Sequence, residues 1–220
     1  MTEVQIHLVR HGEVDNPKGI LYGRLPGFAL SERGHDMAER LGKHFSQAAV
    51  PVRAVWASPL LRTQQTAEPI ALECGRDILT EPRIIEAENY FTGRHITISE
   101  IFTSRMICRV YNPYQPSWGE PYWNQVLRMR AAMFSFRIHL QKQAEAEGLE
   151  AIAGVMVSHQ LPIWVTRLAA ENKCLVHDPR KRECSLASAT TFFFSNSQLR
   201  HVHYEDICHD IQPAVAVPGA

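Results

Sequence analysis

The chain predicts an α/β fold, a three-layer α/β/α sandwich around a mostly parallel central sheet. Three observations carry that expectation. Short apolar runs alternate along the chain with longer stretches of helical periodicity, the order that builds strand–helix–strand units. One run, AIAGVMVSH (151–159), is almost continuously apolar, as in a strand buried on both faces. Hydrophobic residues make up 45% of the 220, enough for one sizeable core.

The elements follow in order. VQIHLV (4–9) alternates apolar and polar and turns at Gly12, predicting strand then loop. From Leu30 the pattern becomes helical, with Ser31 as N-cap and Met37, Ala38, Leu41, Phe45 and Ala48 on one face. VRAVWASP is a short strand stopped by Pro59. LLRTQQTAEPIALECG is helical up to Gly75, and Pro69 inside it predicts a kink or an early end. ILTEPRIIE is expected as a strand edge that ends at Glu86. Residues 87–122 are irregular, with three prolines and several aromatics in NPYQPSWGEPY, and predict an ordered lid insertion rather than a disordered linker. A long amphipathic helix runs from Trp123 to about Glu147 through Val126, Leu127, Met133, Phe134, Ile138 and Leu140, a stripe taken as core. After 151–159 come a short helix (PIWVTRLAA) and two final strands, LASATTFFFS and QLRHVHYED. A single domain, 1–211, with a loose tail at 212–220 accounts for the whole pattern.

Bulk properties exclude several classes. Lys and Arg number 23, as do Asp and Glu, so no global basic field for nucleic acid exists. No apolar run is long enough to span a bilayer, so no membrane partner is expected. MTEVQIHLVRHG lacks the order of a signal peptide, and five scattered cysteines without a CxxC suit free thiols in a reducing cytoplasm.

Two predicted strands end in histidine motifs, LVRHG and MVSH, and a third, VWASP, leads into LLR. In sheets of this kind, sites collect at the carboxyl ends of strands. Two histidines (His11, His159) and two arginines (Arg10, Arg62) converging there suit a phosphoryl group. Arginine grips two phosphate oxygens at once. A neutral imidazole has a lone pair that attacks phosphorus. Gly12 lets the backbone fold close beneath the ring. The transferring group needs positive charge around its oxygens and a proton for the leaving oxygen, with Glu86 the best-placed donor.

LVRHG, ASPLLRTQQTA, the carboxylate in RIIEAE, WGEPYW and VMVSH occur in the order found in the histidine phosphatase superfamily, the phosphoglycerate-mutase-like group. From about Val4 to Phe194 the chain resembles it. The resemblance implies that His11 becomes phosphohistidine, that Arg10 and Arg62 clamp the phosphate, and that His159 donates a hydrogen bond to it. It implies that Glu86 protonates the leaving group and then activates water, and that Asn16 reaches a phosphate oxygen. It implies no cofactor and no metal, since two arginines and two histidines supply the charge. The substrate is expected to be a small phosphorylated metabolite.

The chain departs from the family pattern in places. Gln160 stands where many members have glycine, so its side chain either points away or joins the site. AENYFTG does not align cleanly, and Glu88 is a rival to Glu86 as the acid. Related mutases carry adjacent arginines in the insertion. Here Arg94, Arg105 and Arg109 are spread out, which favours a phosphatase over a mutase, and the carboxylate retained beside both histidines argues against a non-catalytic phosphate-binding module. Two further motifs remain. HVHYEDICH places His201 and His203 on one strand face with Asp206, Cys208 and His209 nearby. Its spacing fits no standard zinc signature, so an exposed strand is expected. DPRKRE (178–183) is either a solvated loop or a cationic approach to the crevice. The oligomeric state is not legible, a homodimer being one option.

Overall fold

The computed structural model describes residues 2–94 and 119–211. Among these residues the chain forms β1 (Glu3–Arg10), α1 (Glu32–Ser46), β2 (Val52–Ala57), α2 (Leu61–Cys74) and β3 (Ile78–Thr80). Then follow α3 (Tyr122–Glu147), β4 (Ala151–Ser158), α4 (Gln160–Ala170), β5 (Ala189–Ser195) and β6 (Gln198–Glu205). The strands make one sheet in the order β3-β2-β4-β1-β5-β6. Pairing is parallel from β3 across to β1, and β5 is antiparallel to both its neighbours. Of the described strands, β5 alone runs against the rest.

Alternation along the strands feeds two separate cores. Ile6 and Leu8 of β1 meet Met129, Phe136 and Leu140 of α3 and Ile163 of α4 on one face. Val9 meets Met37, Leu41 and Phe45 of α1 and Ile70 of α2 on the other. Strand β4 lies between β2 and β1 and is covered on both faces, which explains its unbroken apolar sequence. Ser31 caps α1 as expected, its hydroxyl accepting the Gly34 N–H at 3.0 Å.

Three expectations need correction. Helix α2 does not end at Pro69. It runs to Cys74 and stops at Gly75, whose φ of 63° is the left-handed conformation of a helix C-terminus. The proline removes one helical hydrogen bond, but buried Ala67, Ile70 and Ala71 anchor the helix on both sides of it. ILTEPRIIE is strand only over Ile78–Thr80, because Pro82 has no N–H for a ladder and opens a 3-10 turn over Pro82–Ile84. In α3, Leu127 and Phe134 are exposed, and the core stripe runs instead through Val126, Met129, Met133, Phe136, Leu140 and Ala144.

Most of the expected lid, including NPYQPSW, falls outside the described residues, as does the tail 212–220. The two described ends of the insertion meet. Asn89 and Gly119 form an antiparallel bridge, and the Glu120 N–H donates to the Glu88 carbonyl at 3.0 Å. No helix among the described residues is long and apolar enough to cross a membrane.

Candidate active site

Strand register builds the centre. Arg10 of β1 lies opposite Ser158 of β4, so His11 and His159, one residue further on, stand side by side. Their ring centroids are 5.3 Å apart. On the other side of β4 the Ser58 N–H donates to the Val157 carbonyl at 3.0 Å, bringing the end of β2 and the start of α2 to the same place. Gly12 is needed here, though not to clear space under the ring. A Cβ on it would lie 2.7 Å from the Gly34 carbonyl oxygen, so the missing side chain lets α1 press against the backbone carrying His11.

Arg62 is fully buried and organises the histidines. Its Nε donates to His11 Nε2 at 3.2 Å, and its Nη2 donates to the Gly23 carbonyl at 2.8 Å and faces His159 Nδ1 at 3.2 Å. A guanidinium only donates, so both ring nitrogens facing it carry lone pairs. His11 therefore holds its proton on Nδ1, which donates to the Gly12 carbonyl at 2.8 Å. His159 holds its proton on Nε2, directed at Ser58 Oγ at 2.8 Å. Burial, then the charges of Arg62 and Arg10, hold His11 well below the usual histidine range. Burial and the charge of Arg62 do the same to His159. Both rings are thus neutral near pH 7. Arg62 lies 4.8 Å over the Tyr22 ring, and Gly23, with a φ of 41°, turns its carbonyl to the guanidinium.

Glu86 reaches this centre from beyond the 3-10 turn. Its Oε2 is 3.9 Å from His159 Nδ1 and its Oε1 accepts the Ala87 N–H at 2.8 Å. Glu86 is 15% exposed, whereas Glu88 is 71% exposed and paired with Arg24 at 2.7 Å. The structure brings Glu86, and not Glu88, to the histidines. Arg10 is buried, with Nη1 donating to the Cys184 carbonyl at 2.7 Å. The Gln160 side chain donates to that same oxygen at 3.3 Å and accepts from Arg182 at 3.2 Å, so it joins the surroundings of the centre. The side chain of Asn16 is engaged elsewhere. Its amide closes its own loop on the Ile20 carbonyl at 2.8 Å and on the Ile20 N–H at 3.3 Å.

The loop 178–183 is largely exposed, at Pro179, Arg180, Lys181 and Glu183, while Pro179 and Arg182 line the crevice. His201 and His203 lie on β6, with His201 stacked on Phe193 at 4.1 Å between centroids.

A family model described as the histidine phosphatase superfamily (branch 1) matches residues 6–207. The chain belongs to the histidine phosphatase superfamily. It is 42% identical over 204 residues to Rv0525 of Mycobacterium tuberculosis, covering 92% of this chain and 96% of that one. It is 35% identical over 80 residues to the 2,3-bisphosphoglycerate-dependent phosphoglycerate mutase of Thermoplasma acidophilum, 36% of this chain and 39% of the mutase. Among solved structures, the mycobacterial glucosyl-3-phosphoglycerate phosphatase Rv2419c superposes with a TM-score of 0.69 at 18% identity, covering 92% of this chain and 97% of that one.

This superfamily member also contains a network that the sequence motifs do not reveal. Glu120 accepts from Arg128 Nε at 2.7 Å and Nη2 at 2.9 Å, and from Arg24 Nη2 at 3.1 Å. Arg24 Nε donates to the Glu86 carbonyl at 2.6 Å, and Arg128 Nη1 to the Arg83 carbonyl at 2.7 Å. Together these bonds fasten the segment carrying Glu86 to α3. Glu120 sits in the recognisable WGEPYW motif, but Arg24 and Arg128 belong to no periodic or spaced pattern.

Proposed function

We propose that this protein hydrolyses phosphomonoesters of small metabolites through a phosphohistidine at His11. The observation that carries the reading is the paired state of His11 and Arg62. A neutral imidazole presents the Nε2 lone pair to a buried guanidinium, and no carboxylate among the described residues lies within ion-pair distance of Arg62. An incoming phosphoryl oxygen takes the Arg62 N–H, which frees the lone pair and supplies the anion that a buried cation lacks. His11 Nε2 attacks phosphorus, and the bond to the ester oxygen breaks. The leaving alkoxide takes the proton of Glu86. Water then attacks the phosphohistidine while Glu86 takes its proton, releasing inorganic phosphate and neutral His11. Arg10 and Arg62 bind the equatorial oxygens, and His159 turns a ring N–H toward them once the anion raises its basicity. Asn16 joins the phosphate site only if its loop opens, and Gln160 acts through Arg10 and Arg182.

The test is turnover of p-nitrophenyl phosphate in EDTA by wild type and His11→Ala, with an acid quench to trap the acid-labile phosphoenzyme. Turnover and trapped phosphate that both vanish in the variant support the reading. Wild-type turnover in His11→Ala would sink it. The 35% local identity to a phosphoglycerate mutase keeps a second reading, phosphoryl transfer between two hydroxyls. Fast, bisphosphate-dependent interconversion of 3- and 2-phosphoglycerate would establish that reading instead.

A further inference from the structure

A groove of about 390 Å³ lies between α3, the end of α4 and the β5–β6 hairpin. That volume is ordinary for a small-ligand pocket. Buried Met133 and Phe192 line its floor, and Phe134, Phe194 and Leu199 its walls. Phe134 is 60% exposed and Leu199 37%, so these apolar walls stand in water. Phe192 and Phe194 pair with Ile6 and Val4, in the half of β1 away from His11, and the groove shares no lining residue with the crevice at the histidines.

No carboxylate belongs to the lining of this groove, whereas two arginines do. Both stand on α3, about two helical turns apart. Arg130 lies over the Trp123 ring at 5.9 Å, and its Nη2 donates to the Ala169 carbonyl at 3.1 Å. Arg137 lies over the Phe134 and Phe194 rings at 5.5 and 5.3 Å, and its Nη1 donates to the Ser197 carbonyl. Its Nε is buried without an acceptor, and its Nη2 meets none among the described residues. Neither arginine forms an ion pair among those residues. Glu171, next in sequence to the end of α4, is engaged by Arg167 at 2.9 Å and by Lys173. Ring faces and backbone carbonyls thus hold both guanidiniums in place and leave their charge unanswered, an arrangement preorganised for an anion. A second copy of this face does not supply one, because a twofold contact sets the same basic patch against itself.

We propose that this groove binds a small amphipathic carboxylate, with its apolar body over Phe192 and Phe194, its carboxylate on Arg137, and Arg130 adding positive charge at the rim. The site is separate from the histidine centre and stands whether or not that centre hydrolyses phosphate esters.

Titration calorimetry with octanoate, octanol and octylammonium, which share one chain and differ in charge, tests it. Wild type is expected to bind octanoate saturably and about 5- to 30-fold more tightly than octanol, the range for one charge-assisted contact to a partly buried cation. Octylammonium binds more weakly than octanol. Arg137→Gln brings the octanoate-to-octanol ratio to about one, Arg130→Gln lowers it in part, and Phe134→Ser weakens both ligands together. Circular dichroism verifies that each variant is folded. Inorganic phosphate in excess leaves octanoate binding unchanged, which separates this groove from the arginines at the histidines. Absence of saturable octanoate binding, a wild-type ratio near one, an undiminished ratio in folded Arg137→Gln, or displacement by phosphate overturns the proposal. A dimer in light scattering that Phe134→Ser dissociates and octanoate does not also overturns it, since a second copy then fills the groove.

Discussion

Replacing Glu120 by Gln removes the carboxylate that Arg24 and Arg128 share, with little change of shape. The three side chains differ in exposure: Glu120 14%, Arg128 17% and Arg24 30%. The Arg128 fork is the more buried contact, and weakening a charged, mostly buried pair costs about 2–3 kcal/mol, below the roughly 3–5 of a wholly buried one because Gln retains one acceptor oxygen. The more exposed Arg24 contact adds only about 0.5 kcal/mol. The sum, about 3 kcal/mol, lowers the melting temperature of a chain this size by about 6–12 °C, which scanning calorimetry measures. Function is affected through position. Arg24 holds the Glu86 carbonyl, so a loosened Arg24 lets the acid drift, and displacements near 1 Å cost up to about 100-fold. An alkyl phosphate, whose leaving oxygen needs a proton, should lose about 10- to 100-fold in kcat. p-Nitrophenyl phosphate, with a good leaving group, should lose much less. An unchanged melting temperature, or equal losses on both substrates, would refute the idea that this network acts through Glu86.

Three other perturbations test separate parts of the structure. Glu86→Gln should reduce kcat for alkyl phosphates by about 100- to 10,000-fold, with a much smaller loss for the aryl ester. The Glu88→Gln variant in the same assay is the comparison, and a larger effect there would reverse the assignment. Burial and His44 hold His7 at about 4, below its ordinary 6.5, so the folded protein binds fewer protons than the unfolded chain between those values. Stability is then full above pH 6.5 and falls as pH drops toward 4, by about 3 kcal/mol for His7, with His11 and His159 adding in the same direction. Urea midpoints at pH 7.5 and 5 measure this loss, and equal midpoints would contradict it. Gly12→Ala puts a methyl group against the Gly34 carbonyl and should cost about 1–3 kcal/mol while also moving His11, seen as a lower urea midpoint together with a lower kcat/KM.

Much of the centre was legible because its parts sit at strand ends, where a short apolar run stops on polar residues. His11 and His159 could be placed together before any coordinates, since parallel neighbours present their carboxyl ends side by side. Glu86 does lie beside His159, but not as the end of a strand. It follows a 3-10 turn, and what brings it inward is the carbonyl grip of Arg24, a contact 62 residues away in sequence. Pro69 misled because local backbone chemistry is outweighed when flanking turns are buried. Leu127 and Phe134 misled because apolarity gives a face only when neighbouring elements cover it. Arg24 and Arg128 carried no signal at all, and Arg182 showed only as one residue of the basic loop 178–183. Each is an arginine whose meaning lies in which acceptor it meets, and that is set by tertiary packing rather than by spacing.

The bridge between Asn89 and Gly119 has a consequence for how this enzyme family diversifies. Because departure and return of the inserted stretch are pinned to one another, chain can be added or removed beyond the clasp without altering the path from β3 to Glu86 or the start of α3. The thermodynamic toll of such lengthening is slight, about 0.6 kcal/mol for each doubling of a flexible loop. The clasp therefore lets the path to Glu86 and the start of α3 be set by the described residues on its near side, whatever the length of chain between its two ends.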